Sequence, residues 1–134
     1  FDLPHGLCIA IALPQVIRFN AKRPEKLAMW PHYATYHATK DYTDIARFLH
    51  LPGNTDEELV ENLVKKIIKL AHDCGLTLSL KANGVKKADF DKQVDQLAVH
   101  AYEDQCTTTN PVEPLVSQLK TLLERCYDGT GVED

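Results

Sequence analysis

One stretch of this chain restricts its fold more than any other. Leu59, Val60, Leu63, Val64, Ile67, Ile68 and Ala71 recur at helical spacing, while Lys65, Lys66 and Lys69 fall on the opposite side. Asn54 or Thr55 can cap this helix, and Asp56, Glu57 and Glu58 suit its positive end. Gly75 stands where a glycine closes a helix. A helix with one apolar stripe must bury it against other elements, so the question becomes what those elements are.

The rest of the chain also reads as helix. A first helix runs from about His5 to Ala21 and is apolar on most faces, which marks it as a core helix. Pro14 should kink or divide it, because proline lacks a backbone donor and clashes with the preceding turn. Residues Lys22 to Thr39, with Pro24, Pro31 and several aromatics, read as a long irregular connection. A helix from about Lys40 to Leu49 would carry Tyr42, Ile45, Ala46 and Leu49 on one face. Another, Ala88 to Asp104, would turn Phe90, Val94, Leu97, Ala101 and Tyr102 inward. Pro114 suits the first position of a last helix reaching Tyr127, with Leu115, Leu119, Leu122, Leu123 and Cys126 apolar along it. No alternating strand pattern of useful length and no internal repeat is present. The expectation is a single all-α domain, a helical bundle spanning residues 1–134.

Composition narrows the function. A net charge of −4 gives no electrostatic reason to expect nucleic acid as a partner. No apolar run reaches the ~20 residues that a membrane span requires. The opening apolar stretch is short, holds Pro14 and lacks a basic leader, so it does not read as a signal peptide. Cys8, Cys74, Cys106 and Cys126 are far apart, which disfavours a zinc knot or a disulfide framework. They read as buried or half-buried thiols in a reducing compartment. No glycine-rich phosphate loop follows a strand, so a self-contained dinucleotide site is not expected.

Pro4-His5-Gly6 opens the first helix. An imidazole on such a rigid approach can be held in one orientation, as a metal ligand must be, or can simply pack or cap. His5-Gly6-Leu7 followed by Leu13-Pro14-Gln15-Val16-Ile17-Arg18-Phe19-Asn20 resembles the Pro-His-Gly…Leu-Pro-x-Val…Asn segment of the iron-dependent alcohol dehydrogenases. Trp30-Pro31-His32-Tyr33, Ala38 and Tyr42-Thr43-Asp44-Ile45-Ala46-Arg47-Phe48-Leu49 resemble the linker and next helix of the bifunctional acetaldehyde–alcohol dehydrogenases. Asp104-Gln105-Cys106-Thr107, Asn110-Pro111, Pro114-Leu115 and Leu119-Lys120 are similar to a block near their C-terminus. The three blocks lie in order from Phe1 to about Gly129. The later blocks favour the bifunctional type over a zinc-dependent relative such as a glycerol dehydrogenase.

The resemblance implies most of the family's C-terminal, metal-binding helical domain. It makes His5 the last of four protein ligands to a catalytic divalent iron. The other ligands, an aspartate and two histidines, would precede Phe1, as would the N-terminal domain that binds NAD and the aldehyde dehydrogenase part. The intact enzyme would be cytoplasmic and would reduce acetaldehyde to ethanol in fermentation, with a homo-oligomer or filament as its assembly. The 134-residue piece alone would hold neither iron nor NAD, its partner being the remainder of its own polypeptide. Imidazole suits iron and zinc alike, so iron rests on the family. The chain departs from its relatives at Asp2, Ile9 and His50, where many of them have histidine, asparagine and glycine. Asp2 could itself be a ligand or accept from an imidazole N–H, and His50 falls at a helix end.

The remaining polar candidates have simpler readings. His32 and His37 belong to the aromatic-rich connection and read as solvated, with contact to a neighbouring domain as the other option. His72 and His100 sit late in helices, where the helix dipole favours a cation. Asp89, Asp91 and Asp95 form an acidic stripe on a solvated face. Asn110-Pro111 shapes a turn, and a buried asparagine there could brace the ligand-bearing helix. Against the dehydrogenase reading stands a non-catalytic helical module whose role is packing or self-assembly.

Overall fold

The computed structural model describes residues 1–23 and 36–132. Among them are five α-helices and one short 3-10 helix: α1 His5–Asn20, α2 Ala38–Phe48, α3 Asp56–Asp73, α4 Lys87–Glu103, the 3-10 turn Gln105–Thr109, and α5 Val116–Asp128. No strand occurs among the described residues. Most of the connection expected between Lys22 and Thr39, including His32, lies outside them.

The stripe on α3 organises the bundle. Its first turn is capped by the Thr55 hydroxyl, which accepts from the Glu58 amide at 3.2 Å, while the Glu58 carboxylate accepts from the Asn54 amide at 2.6 Å. Leu59, Val60, Leu63, Val64 and Ile68 are buried along it. The helix packs on α2 and on α1, and α5 packs on α4 and on α1. Helix α1 is therefore the shared element between two helix pairs. The main core joins Ile11 and Ile17 of α1 to Val64 of α3, Phe90 of α4 and Tyr127 of α5, and a smaller cluster joins Ala46 to Leu59 and Leu63.

Proline does not divide α1. The helix runs unbroken for 16 residues through a fully buried Pro14. The turns on either side are held by Ile11 and Ile17 in the core. The Cys126 thiol also donates to the Ile11 carbonyl at 3.9 Å, beside the turn that proline weakens. Packing overrides local propensity here.

Other expectations also needed correction. Pro114 is not the first residue of the last helix: Leu115 is the N-cap, its amide donating to Gln118 Oε1 at 2.8 Å, and the helix begins at Val116. Tyr102 is exposed rather than inward, and Ile45, Leu49 and Leu115, apolar along their helices, are exposed too. On α2 and α4 the buried stripe is narrower than the apolar one, with Thr43 and Ala46 of α2 and Ala98 of α4 at the inner positions. Helix α2 also starts two residues before the expected Lys40, at a buried Ala38.

Two helices end in the same hydrogen-bond pattern with different residues at the turning point. After α3, the Gly75 amide donates to His72 O and the Leu76 amide to Ala71 O, with Gly75 at φ +77°. After α2, His50 donates to Arg47 O and Leu51 to Ala46 O, with His50 at φ +54°. Both are Schellman turns, whose pivot is left-handed. An L-residue there costs about 1–2 kcal/mol, and the freer unfolded chain of a glycine offsets part of that gain. His50→Gly should therefore stabilise the chain by about 0.5–1 kcal/mol. A urea midpoint that stays or falls would show that His50 carries no strain.

Candidate functional site

His5 is the first residue of α1 and its side chain is exposed. The approach is fixed by the backbone. The Pro4 carbonyl accepts from the Leu7 and Cys8 amides at 3.0 and 3.1 Å, and Pro4 itself holds φ −55°. Before it, Phe1 stacks on Phe90 with ring centroids 6.5 Å apart. The imidazole thus projects from a restrained backbone and makes no hydrogen bond among the described residues, which leaves its ring nitrogens open to a ligand. One and two turns further along, Ile9 and Leu13 are exposed as well, so His5, Ile9 and Leu13 line one uncovered face of α1.

Among the described residues no group of three or more His, Cys, Asp or Glu side chains could hold a metal ion. An exposed imidazole without a hydrogen-bond partner among the described residues has the chemistry of a single metal ligand. Asp2, two residues before Pro4, is exposed with φ +53° and makes no hydrogen bond to His5.

The far end of α1 is tied down by polar groups. Asn20 and Asn110 face each other: Asn20 Nδ2 donates to Asn110 Oδ1 at 3.0 Å, and Asn110 Nδ2 donates back to Asn20 Oδ1 at 2.8 Å. The Tyr36 hydroxyl donates to Asn20 O at 2.6 Å and the Thr39 hydroxyl to Ala21 O at 2.7 Å, satisfying carbonyls that a helix end leaves without partners. Asn110, read as a turn residue that could also brace a helix, does tie down the end of α1. One turn back, Arg18 makes a paired contact with Glu61 of α3 at 3.0 and 2.6 Å and also donates to Gly131 O. The bonded guanidinium holds the Glu61 carboxyl below the usual carboxylate range. Gln15, buried, donates to Thr130 O at 2.7 Å. These contacts were not foreseen, yet they had a signal: Gln15, Arg18 and Asn20 interrupt an otherwise apolar helix.

The block from Asp104 to Pro111 is a compact turn. Asp104 Oδ1 accepts from the Cys106 amide at 2.7 Å, and the Thr107 hydroxyl donates to Ala101 O at 2.6 Å. His37 is exposed at the N-cap of α2 and pairs with Asp41. His72 and His100 occupy the last turns of α3 and α4. Each acid of the expected stripe meets a lysine: Asp89 meets Lys92, Asp91 meets Lys87, and Asp95 meets Lys120.

The cysteines correct the reading that all four are at least half-buried: Cys8, Cys74 and Cys106 are exposed and Cys126 alone is buried. Exposed helix ends and the turn at Cys106 carry the first three. Burial pushes the Cys126 thiol up to about 12. Hydrogen bonding to Asp104 raises that of Cys106. Since the thiolate is the reactive form, a disulfide reagent at pH 8 should modify the three exposed cysteines of the folded chain and leave Cys126 until denaturant is added. Four equally fast thiols would contradict the packing of Cys126.

An all-helical domain with a histidine presented at the head of a shared, braced helix is what the residues define. The chain belongs to the Fe-containing alcohol dehydrogenase family, whose C-terminal family model matches residues 1–127. It is 40% identical over 129 residues to an aldehyde-alcohol dehydrogenase of Streptococcus pneumoniae, with 96% of this chain and 15% of that protein covered. It is 38% identical over 132 residues to the bifunctional aldehyde-alcohol dehydrogenase of Escherichia coli, again with 96% and 15% covered. An NADPH-dependent butanol dehydrogenase of Clostridium saccharobutylicum shares 33% identity over 133 residues, covering 99% of this chain and 31% of that protein. The chain thus spans about a seventh of the length of the bifunctional relatives and matches their C-terminal, iron-type alcohol dehydrogenase segment. No described helix is long and apolar enough to cross a membrane.

Proposed function

We propose that this chain is the C-terminal helical part of a longer bifunctional enzyme and contributes His5 as one ligand to a catalytic divalent iron. The whole enzyme would reduce acetaldehyde to ethanol with NADH during fermentation, in the cytoplasm and as a homo-oligomer or filament. The observation that carries this reading is the family match over residues 1–127, together with a histidine left uncommitted at the head of α1. A bound iron would supply a Lewis acid that polarises the substrate carbonyl. The chain's own part is positional: Pro4 and the first turn of α1 fix the backbone from which the ring projects, and the bundle fixes α1. The other ligands and the NAD site would come from the rest of the polypeptide.

This reading makes the 134-residue chain alone inactive. After anaerobic incubation with ferrous iron and desalting, it should retain far less than one iron per chain, and it should not oxidise NADH in the presence of acetaldehyde. Stoichiometric retained iron would overturn the incomplete site. In the parent enzyme, His5→Ala should weaken iron binding by more than the roughly 10–100-fold that loss of an outer-shell partner costs. An unchanged iron content would remove His5 from the ligand set.

A second reading, a packing or self-assembly module, is favoured by one observation. Phe48 is 82% exposed beside exposed Ile45 and Leu49 on α2. Association of the isolated chain in sedimentation would support it, and a strict monomer at high concentration would count against it.

A further inference from the structure

The sequence contains one Asn-Gly pair, Asn83-Gly84, on the loop between α3 and α4. Asn-Gly is the dipeptide in which an asparagine side chain is most open to attack by the following backbone nitrogen, because glycine has no Cβ to obstruct ring closure. A Cβ built at Gly84 would meet nothing within 4 Å, so neighbouring side chains do not shield this position.

Hydrogen bonds do what bulk does not. Asn83 Nδ2 donates to Thr77 O and to Ser79 O, both at 2.7 Å. The nucleophile, the Gly84 nitrogen, donates its hydrogen to Lys81 O at 3.1 Å. The Asn83 amide in turn donates to Ser79 O, and Val85 to Leu80 O. Ring closure needs the Gly84 nitrogen deprotonated and aimed at Asn83 Cγ, so all three of the first bonds must be released together. The loop they hold is itself stitched to the end of α5: Leu80 donates to Cys126 O at 3.0 Å, Lys81 to Tyr127 O at 3.1 Å, and the Ser79 hydroxyl to Tyr127 O at 2.8 Å.

We propose that Asn83-Gly84 is a deamidation site gated by folding, silent while the 77–84 loop is closed and reactive when it opens. In the reaction the Gly84 nitrogen bonds to Asn83 Cγ, the Cγ–Nδ2 bond breaks and ammonia leaves. Water then opens the succinimide at either carbonyl, giving aspartate or isoaspartate, with no oxidant or reductant required. The product cannot restore the loop. A carboxylate at residue 83 has lost both donors and faces the Thr77 and Ser79 carbonyl oxygens, two acceptors, so both side-chain bonds become repulsions and Ser79 O keeps only the backbone amide of residue 83. A single opening event that reacts is thereby made permanent, and the core residues beside it, Leu80 and Val85, lose their frame.

The full chain tests this directly. It is incubated at pH 8.5 in buffer and in guanidinium chloride, alongside a synthetic peptide of residues 79–88, and residue 83 is followed by peptide mass mapping. Far-ultraviolet circular dichroism of the same samples reports which are folded. Deamidation in the folded chain should be roughly tenfold or more slower than in the unfolded chain, which should match the peptide, since only the open fraction reacts. Equal rates in folded and unfolded chain would overturn the gating. Asn83→Asp should lower the thermal midpoint, whereas Asn83→Ser, which removes the amide without adding charge, should lower it less. An aspartate variant as stable as the parent would overturn the claim that the product prevents reclosure.

Discussion

Phe90→Ala should lower the stability of the chain by about 4 kcal/mol, the largest loss expected of any single truncation in it. Phe90 is 1% exposed, and its ring lies against that of Tyr127 with centroids 4.4 Å apart and an interplanar angle of 27°. It also stacks on Phe1, near the start of the segment that leads into Pro4-His5. Truncation therefore removes the burial of a whole ring and leaves a cavity between α4 and α5. It also breaks an aromatic pair worth about 0.5–1.5 kcal/mol beyond its area. Domains of this size are stable by only about 5–15 kcal/mol, so the variant should unfold at a much lower urea concentration and some 10–20 °C earlier. Tyr102→Ala, on the exposed side of the same helix, should change stability by no more than about 0.5 kcal/mol. A loss below about 2 kcal/mol at Phe90 would mean that the α4–α5 interface closes over the cavity.

Phe90 illustrates what the sequence makes legible. Its place in the α4 stripe follows from spacing alone, as do the α3 stripe, its acidic first turn and its closing glycine. Periodicity reports which residues share a face. It does not report how much of that face a neighbour covers. That is why Ile45, Leu49 and Tyr102, on the right faces by spacing, lie exposed, and why Ala46 and Ala98 are fully buried where helices approach closely. Pro14 shows the same limit from the other side, since a local breaker is overruled by core contacts that the local sequence does not contain.

The candidate site divides in the same way. His5 was legible because a short motif fixes both its neighbours and its position at a helix start. Its exposure on α1 was not legible at all, since spacing does not say what covers a helix start. The bracing of α1 was only half visible. Polar residues at inward positions of an apolar helix signal that partners exist, but Asn20 and Asn110 are 90 residues apart and no local pattern pairs them.

That pair supports the second large prediction. Asn20 is 3% exposed, and each amide is both donor and acceptor to the other. No buried side-chain nitrogen or oxygen among the described residues lacks a partner, so the network has no slack. Asn20→Ala strands the Asn110 oxygen in a partly buried place, and a buried polar group left unpaired costs about 1–3 kcal/mol beyond any lost contact. The single change should cost about 2–3 kcal/mol, and Asn110→Ala should cost somewhat more because its amide also donates to Val112 O. Changing both removes the unpaired groups along with the bonds. The double variant should then be about 1–2 kcal/mol more stable than the sum of the single losses predicts. Denaturant midpoints of the four chains measure that coupling. Additivity within about 0.5 kcal/mol would show that the two amides do not act as a unit, and that the end of α1 is held by Tyr36, Thr39 and Arg18 instead.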